Sequence, residues 1–357
     1  MSQTTLYQWI EELARRFPGL GRWQVTGLAL LSLGVVWSEQ STLTKVAEKL
    51  GQVGKPDSLE RRFQRWVSNP RIEVTVCLRW WIRWVIDAFD GERVILLVDE
   101  TKLGGHLSVM LIGVAYQQRC IPLVWRCYYR HDGQVKMITD LLQLIAEEVT
   151  FGQPPLVQAD RGIGTSPDLC RAVAALGWHY LFRVQNQTKV LTGKNHYVAL
   201  QRLVHKPDQE WFGYGVVFKQ RGRLRAYVHV VWAKGQSEPW CLVTNDVLGR
   251  GTLYARRIWQ EESFRDLKSG GWQWQRSRVW QPAHAERLIL VLALAYAWTL
   301  SYGTLAFHSP DLLRRVTRGT RKRLSIFRCG LRLLTSLLVR HEPVWLGLFF
   351  APAKRLC

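Results

Sequence analysis

Two short strand-like runs in this sequence each end directly in an aspartate. Residues 94–98 precede Asp99, and residues 155–159 precede Asp160. Short, mostly apolar runs of this kind predict buried strands. Because ligand sites collect at the carboxyl ends of strands in open α/β sheets, the two carboxylates are candidates for one site. The alternative is that aspartate ends many strands simply because it favours turns.

The order of the elements around these aspartates indicates the fold. Three successive strand patterns are followed by alternating helix and strand, over residues 94–98, 108–116, 121–129, 134–149, 155–159, 167–176 and 179–184. This order is typical of a ribonuclease-H-like core. Further strand patterns at 214–219 and 225–233 predict a β insertion before the core resumes at Trp240.

The first 90 residues carry helical spacing instead, in five runs around residues 6–17, 25–37, 43–50, 58–67 and 74–89. A break at 51–56 between the third and fourth runs resembles the turn of a helix-turn-helix. The helix that follows it carries Arg61, Arg62 and Arg65, and basic groups there suit the groove of duplex DNA. The alternative is an ordinary surface helix that happens to carry three arginines.

The charge of the chain favours a polyanionic partner. Lys and Arg number 49 against 28 Asp and Glu, a formal net charge of +21. Nucleic acid is the first candidate and an anionic membrane surface the second. The excess is largest in residues 306–357, where Arg318, Arg321, Lys322 and Arg323 are expected to bind phosphates. The alternative for that segment is a solvated charged face.

Cysteine usage and hydropathy exclude several other classes. The seven cysteines include no C-x-x-C pair, so neither a disulfide framework nor a zinc ribbon is predicted. Glu11 and Glu12 disrupt any signal peptide. The apolar run at 25–37 is too short to span a bilayer. The run at 288–307 turns polar after Leu300, so it predicts a buried helix. We expect a cytoplasmic protein without a membrane partner.

Four residues farther along the chain have a spacing with chemical meaning. Tyr254, Arg257, Glu261 and Lys268 are three, four and seven residues apart. On one continuous helix, at about 100° per residue, they point within about 60° of one another. Such a face can bring a carboxylate to a metal site while its cations hold phosphates. On spacing alone, a surface face with an Arg257–Glu261 ion pair explains the pattern equally well.

These four residues match the Tyr-Arg-Glu-Lys signature of the bacterial insertion-sequence transposases of the insertion-sequence-four group. Asp99-Glu100-Thr101 resembles that family's Asp-x-Thr at the first catalytic aspartate, and Asp160-Arg161 resembles its Asp-Arg at the second. Gly162 departs from the family, which often has an acidic residue there. The resemblance covers about residues 93–300.

The resemblance implies a DDE transposase whose catalytic residues and metal ligands are Asp99, Asp160 and Glu261. Three carboxylates suit Mg²⁺, with Mn²⁺ as a substitute and two ions per active site. The adjacent acids Glu100 and Glu262 are expected to point away from the site.

The resemblance also assigns contacts to DNA. Tyr254, Arg257, Lys268 and Arg161 are expected to touch DNA near the cleaved end, and Trp240 is placed to stack on a base flipped out during hairpin formation. The implied partners are double-stranded DNA, as transposon terminal inverted repeats and target DNA, and a second copy of the chain on paired ends. A bacterial, nucleoid-associated location follows.

We therefore predict an α/β fold: a ribonuclease-H-like catalytic core with a β-strand insertion, preceded by an all-helical DNA-binding domain. The expected boundaries are 1–90 for the helical domain, 91–184 and 240–305 for the core, 185–239 for the insertion and 306–357 for a basic C-terminal segment.

Two alternatives stay open. One is a structure-selective nuclease with the same metal site, which should still cut after residues 1–90 are deleted. The other is a retired transposase that only binds DNA, against which the three intact carboxylates argue.

Overall fold

The computed structural model describes residues 2–89, 93–130, 133–193, 196–219, 222–317 and 324–351. The N-terminal region is helical, as predicted. Its five described helices are α1 (Gln3–Arg16), α2 (Arg22–Ser38), α3 (Leu43–Lys49), α4 (Pro56–Ser68) and α5 (Val74–Asp87). Each coincides with one of the five helical runs of the sequence.

Helix α4 follows the turn after α3 and is held firmly against α2. Its apolar stripe of Leu59, Phe63, Trp66 and Val67 is buried at helical spacing. The indole of Trp66 donates a 2.8 Å hydrogen bond to the carbonyl oxygen of Gln24. A Cβ at Gly27 would lie 2.2 Å from Cδ1 of Trp66, so this close crossing of α2 and α4 requires glycine.

One mixed sheet of ten strands forms the centre of the described residues. The strands are β1 (Ile95–Leu103), β2 (Leu107–Tyr116), β3 (Arg119–Tyr128), β4 (Leu156–Ala159), β5 (His179–Arg183), β6 (Lys189–Leu191), β7 (Tyr197–Ala199), β8 (Gln209–Val217), β9 (Leu224–Trp232) and β10 (Trp240–Thr244). Their order across the sheet is β3-β2-β1-β4-β5-β10-β9-β8-β6-β7.

The first five strands of that order have the ribonuclease-H-like arrangement. β1 runs parallel to β4 and β4 parallel to β5, whereas β2 is antiparallel to β1 and to β3. The predicted fold class is therefore confirmed. β10 pairs with β5 on one side and with β9 on the other, so the strands of the predicted insertion continue the core sheet.

Eight further helices accompany the sheet in the described residues. They are α6 (Gln134–Glu148), α7 (Arg161–Gly164), α8 (Pro167–Ala175), α9 (Gly251–Tyr254), α10 (Ile258–Leu267), α11 (Pro282–His308), α12 (Pro310–Val316) and α13 (Ile326–Val339).

The long apolar helix α11 lies inside the protein. By length and composition it qualifies as a membrane span, but 94% of its most apolar window is buried against other elements. A helix that is apolar on all sides is normally buried in this way. The expected buried helix is thus present, and it extends to His308, beyond the predicted end near Leu300.

Helix α11 also connects the N-terminal helices to the sheet. It packs against α2, α4 and α5 as well as β3. The rings of Trp9 on α1 and Trp298 on α11 are stacked, with centroids 4.6 Å apart. Arg287 on α11 donates to the carbonyl oxygens of Ile72 and Val67, at 2.9 and 3.2 Å. One hydrophobic core therefore includes both regions.

The C-terminal region differs from the expected basic surface. Helix α13 buries an apolar face against α11, with Phe327, Leu333 and Leu334 fully buried. The two helices cross so closely that a Cβ at Gly330 would lie 1.8 Å from the carbonyl oxygen of Thr299. This part of the segment is core because its leucines outweigh its arginines. The expected phosphate-binding residues Arg318, Arg321, Lys322 and Arg323 lie outside the described residues.

Candidate active site

The alternation of side chains along the strands places the two aspartates on one face of the sheet. Ile95 and Leu97 pack toward α9 and Trp259, whereas Leu96 and Val98 join the main core. Asp99 continues the first series because successive residues of a strand point to opposite faces. In the parallel pairing of β1 with β4, Val98 is opposite Ala159, so Asp99 and Asp160 are neighbours where β4 ends.

Backbone amides hold both carboxylates. Asp160 caps the short helix α7, and its Oδ1 accepts from the amides of Gly162 and Ile163 at 3.0 and 3.1 Å. Asp99 accepts from the amide of Glu100 at 2.9 Å. Asp160 is thus oriented by a helix N-terminus, where the backbone dipoles favour negative charge.

The third carboxylate comes from helical segments that follow β10. The sequence predicts helical structure over residues 251–268, and helical elements cover residues 251–267 with one change of helix type. A 3₁₀ turn (Ala255–Arg257) separates α9 from α10. In 3₁₀ geometry, side chains three residues apart are aligned, and Tyr254 and Arg257 have that separation. Glu261 follows one α-helical turn later.

Three carboxylates meet the guanidinium group of Arg257. Its Nη2 lies 2.9 Å from Oδ2 of Asp99 and 3.7 Å from Oδ2 of Asp160, and its Nη1 is ion-paired with Glu261. The side chains of Arg257 and Asp99 are only 11% and 12% exposed, whereas that of Glu261 is 57% exposed. The site is therefore deep at Asp99 and open toward Asp160 and Glu261, whose side chains are 39% and 57% exposed.

Burial dominates the electrostatics of Asp99. It raises the pKa of Asp99 to about 6, although the charge of Arg257 acts in the opposite direction. Asp160 adds to the increase because two neighbouring carboxylates repel each other when both are ionised. A cation bound beside Asp99 would lower this pKa, because a nearby positive charge favours the ionised form.

Lys268 ties the end of α10 to the strand that carries Asp99. Its Nζ donates to Oγ1 of Thr101 at 2.6 Å and to the carbonyl oxygen of Lys102 at 2.8 Å. Burial lowers the pKa of Lys268, and the charge of Asp99 partly offsets that effect. Helix α10, which carries Glu261, is therefore joined to β1 at both of its ends, by Arg257 with Asp99 and by Lys268 with Thr101.

The ligand chemistry of the site fits a divalent cation. Carboxylate oxygens are hard ligands of the kind that Mg²⁺ and Mn²⁺ prefer, and these three already surround one positive group. The buried Nε of Arg257 has no hydrogen-bond partner among the described residues, so its guanidinium is incompletely satisfied. Among the described residues, no group of three or more His, Cys, Asp or Glu side chains is arranged closely enough to hold a metal ion. Arg257 stands between the carboxylates in this conformation.

A family model for the transposase DDE domain matches residues 110–298, more than half of the chain. The chain belongs to this family. Asp160 and Glu261 lie inside the matched segment, and Asp99 lies shortly before it. No curated protein matches the sequence. The structure is similar to a cryo-EM structure of a piggyBac transposase synaptic complex with hairpin DNA. The TM-score is 0.45 and the identity 10%, and the alignment covers 91% of this chain and 73% of that one.

A buried polar network holds the glutamate helix of the transposase on its sheet. Asp266 on α10 is ion-paired with Arg119 of β3 and accepts from the hydroxyl of Tyr296 at 3.0 Å. Ser263 accepts from the amide of Cys120 at 2.6 Å. Gln260 donates to the carbonyl oxygen of Leu111 at 3.0 Å. No spacing signal in the sequence distinguishes an inward-facing Asp266 from a surface acid, so this network is visible only in the folded chain.

Trp240 and Tyr254 pack against each other beside the carboxylates. Their ring centroids are 5.3 Å apart, with the planes at 75°. Trp240 is half-buried, whereas Tyr254 is only 5% exposed. Trp240 faces the same side of the sheet as Asp99, because it continues the series of Leu242 on β10. The transposase thus keeps one aromatic ring accessible and the other beneath it.

Arg161 has an acidic partner from the insertion, although Gly162 stands where the family often has an acidic residue. Arg161 is held by Glu238, whose carboxylate oxygens lie 3.0 and 3.3 Å from its Nη1. Arg183 and Asn186 bind the same carboxylate at 2.6 and 2.9 Å. Burial opposes ionisation of Glu238, but Arg183 and Arg161 lower its pKa overall. An acid distant in sequence supplies the partner for Arg161, which no local motif indicates.

Glu100 and Glu262, which follow Asp99 and Glu261 in the sequence, contact other side chains. Glu100 accepts from the hydroxyl of Ser108 at 2.8 Å, and Glu262 is ion-paired with Arg265. The α4 residues Arg61, Arg62 and Arg65 lie in the N-terminal region, away from the three carboxylates. Of these, Arg61 and Arg65 are exposed, and Arg62 lies over the ring of Trp23.

Proposed function

We propose that this DDE transposase works by a cut-and-paste route and belongs to the insertion-sequence-four group. The observation that carries the proposal is the meeting of Asp99, Asp160 and Glu261 at the guanidinium of Arg257. Three carboxylates from separate elements already surround one positive group, which supports a cation site beside β1, where β4 ends. Two-metal sites of this kind support in-line displacement at phosphorus, the chemistry of DNA strand cleavage and transfer.

The three carboxylates are the residues that would hold two Mg²⁺ ions, with Mn²⁺ as a substitute. Ions held in this way would supply activation of a water or a DNA 3′-hydroxyl and stabilisation of the leaving oxygen during in-line attack. The protein's own contribution is orientation. The amides of Gly162 and Ile163 fix Asp160, while the Arg119–Asp266 pair fixes the helix that carries Glu261.

The basic side chains around the site are suited to the DNA phosphates. Once cations balance the carboxylates, the guanidinium of Arg257 is free to bind a phosphate of the cleaved strand. Lys268 lies on the same side of the site, next to Thr101. Arg161 sits at the rim with a half-exposed side chain. Tyr254 packs against Trp240 beside the carboxylates.

The partners in this proposal are transposon terminal inverted repeats, target DNA and a second copy of the chain on paired ends. The net charge of +21 supports a DNA partner. Pairing of two copies rests on the family resemblance, as does a bacterial, nucleoid-associated location.

The proposed route passes through a hairpin on the transposon end. Sharp bending of the strand forces one base out of the stack, at a cost of a few kcal/mol. Trp240 supports this route because it is partly exposed on the face that carries Asp99. An aromatic ring in that position offers the displaced base a surface for stacking.

Replacement of Asp99 or Asp160 by Asn, or of Glu261 by Gln, tests the proposal. Each variant should lose cleavage of transposon-end DNA and keep its DNA affinity, because each loses a cation ligand and no phosphate contact. Glu100→Gln and Glu262→Gln are matched controls that should cut at close to the normal rate. A variant of the three that cuts as fast as the wild type would remove that residue from the site.

A pre-cleaved end separates the transposase from the nuclease alternative. Given a free 3′-hydroxyl and a plasmid target, a transposase joins the end to the plasmid, whereas a nuclease gives no joined product. A protein that binds the ends and neither cuts nor joins them would be the retired form.

A further inference from the structure

A basic groove lies between α4 and the segment that leads from α10 into α11. Arg61, Gln64 and Arg65 of α4 form one wall, and Arg278, Trp280 and His284 form the other. Its volume is about 980 Å³. The sequence predicted DNA contacts for the α4 wall alone, so the second wall has no assigned role.

The groove carries unbalanced positive charge. None of its lining residues is acidic. Within the part of the chain that the structure describes, Arg61, Arg65 and Arg278 have no carboxylate within ion-pair distance, whereas Arg119 and Arg257 are paired. A concave surface lined by one sign of charge concentrates the opposite sign. An anionic ligand that extends along the groove is therefore favoured.

The backbone of both walls is anchored to the rest of the protein. Arg287 fastens the C-terminal end of α4 to α11 by binding the carbonyl oxygens of Val67 and Ile72. The second wall is anchored by the fully buried Trp272 and Trp274. Arg278 follows this anchor with a φ of 56°, a conformation that residues other than glycine rarely adopt. A surface fixed in this way loses little conformational entropy on binding.

The groove begins near the strand that carries Asp99. The rings of Trp280 and His106 are 5.0 Å apart, and His106 belongs to the tight turn between β1 and β2. A Cβ on Gly104 of that turn would lie 3.5 Å from the ring of Trp280. Lys268 reaches the same end of β1 through its bond to Lys102. The wall that carries Arg278 and Trp280 thus contacts the turn after β1, the strand that carries Asp99.

We propose that this basic groove binds the phosphate backbone of duplex DNA, and that Arg278 contacts the same stretch of duplex as Arg61 and Arg65. The inference rests on the proposed function and extends it. One continuous duplex contacts both α4 and the catalytic region. Arg278 contributes to DNA affinity without distinguishing base sequence. Binding through phosphates makes the effect of Arg278 equal on transposon-end DNA and on unrelated duplexes.

The test measures binding of a labelled duplex by fluorescence anisotropy over a range of salt concentrations, without divalent metal. Arg278→Asn should flatten the plot of log affinity against log salt by about 0.9 and weaken binding near 0.1 M salt by about an order of magnitude. Asparagine is chosen because it tolerates a positive φ. Arg278→Lys should restore most of the slope.

Arg276→Asn is the matched control, since Arg276 is exposed, lies two residues earlier and does not line the groove. An equal change in slope for Arg276→Asn and Arg278→Asn would mean that net charge alone matters, and would overturn the proposal. So would an unchanged slope in Arg278→Asn with a normal melting temperature. Failure of the cleavage assignment is separate, because it appears as residual cutting by Asp99→Asn while the salt slope stays normal.

Discussion

Arg257 and Asp99 form a buried ion pair, 2.9 Å between Nη2 and Oδ2, at the point where three carboxylates converge. The arginine is therefore both a partner of the proposed metal ligands and a competitor of the metal. Burial makes the competition strong, because a cation in this location interacts through a medium of low polarity. Withdrawal of the guanidinium and arrival of the divalent ions should be coupled events.

Arg257→Gln should increase the stabilisation of the protein by Mn²⁺. Without the guanidinium the three carboxylates repel one another, so the metal-free variant should melt at a lower temperature than the wild type. Each tenfold gain in Mn²⁺ affinity then adds about 1.4 kcal/mol of stabilisation at saturating metal. Calorimetry with and without Mn²⁺, in the absence of DNA, measures this difference. Arg161→Gln, whose guanidinium pairs with Glu238, should respond to Mn²⁺ as the wild type does.

Mn²⁺ stabilisation should depend on pH through Asp99. The pKa of Asp99 is raised to about 6, so the folded, metal-free protein favours its protonated form. Because the folded protein binds this proton more tightly than the unfolded chain does, protonation stabilises the fold. This stabilisation is fully present below the pKa of Asp99 in the unfolded chain, near 4, and is lost as the pH rises through 6. Metal requires the ionised form, so the Mn²⁺-induced rise in melting temperature should grow between pH 5 and 7. In Asp99→Asn that growth should be much smaller, and equal growth would locate the titration elsewhere.

Removal of one partner of the Arg119–Asp266 pair should destabilise the protein strongly. Both side chains are 8% exposed, and a buried charge that loses its partner costs about 3 to 5 kcal/mol. Asp266→Ala should therefore lower both the melting temperature and the cleavage rate, because α10 carries Glu261. The double variant Arg119→Met with Asp266→Leu should be more stable than Asp266→Ala. Equal losses in both proteins would argue against a coupled pair.

Trp240→Ala should spare the first nick and slow hairpin closure. Stacking of a displaced base is worth about 1 to 3 kcal/mol, which corresponds to roughly one to two decades in rate. Time courses on end-labelled DNA, resolved on denaturing gels, separate the two steps. Trp232→Ala is the matched control. Val231 of β9 is paired with Trp240, so the next residue, Trp232, points to the opposite face of the sheet. A folded Trp240 variant with normal closure would eliminate the stacking role.

The sequence was most informative where a signal is local. Alternation and short apolar runs located the strands that end at Asp99 and Asp160, and helical spacing located all five N-terminal helices. The 3₁₀ turn before α10 was missed because it departs from regular helix by only three residues. Contacts such as Arg161 with Glu238 and Arg119 with Asp266 were missed for another reason. They join residues 77 and 147 positions apart, which only the folded sheet brings together.

The burial of α11 against both the N-terminal helices and the sheet makes the transposase a single cooperative unit. Trimming residues 1–90 would expose the apolar side of α11 that now contacts α2, α4 and α5. Such a fragment should aggregate, so loss of its cutting would say nothing about whether end recognition is dispensable. The same shared core means that the N-terminal helices should not fold or function as a separable module. Substitutions in α2, α4 and α5 therefore have to preserve the faces that pack against α11.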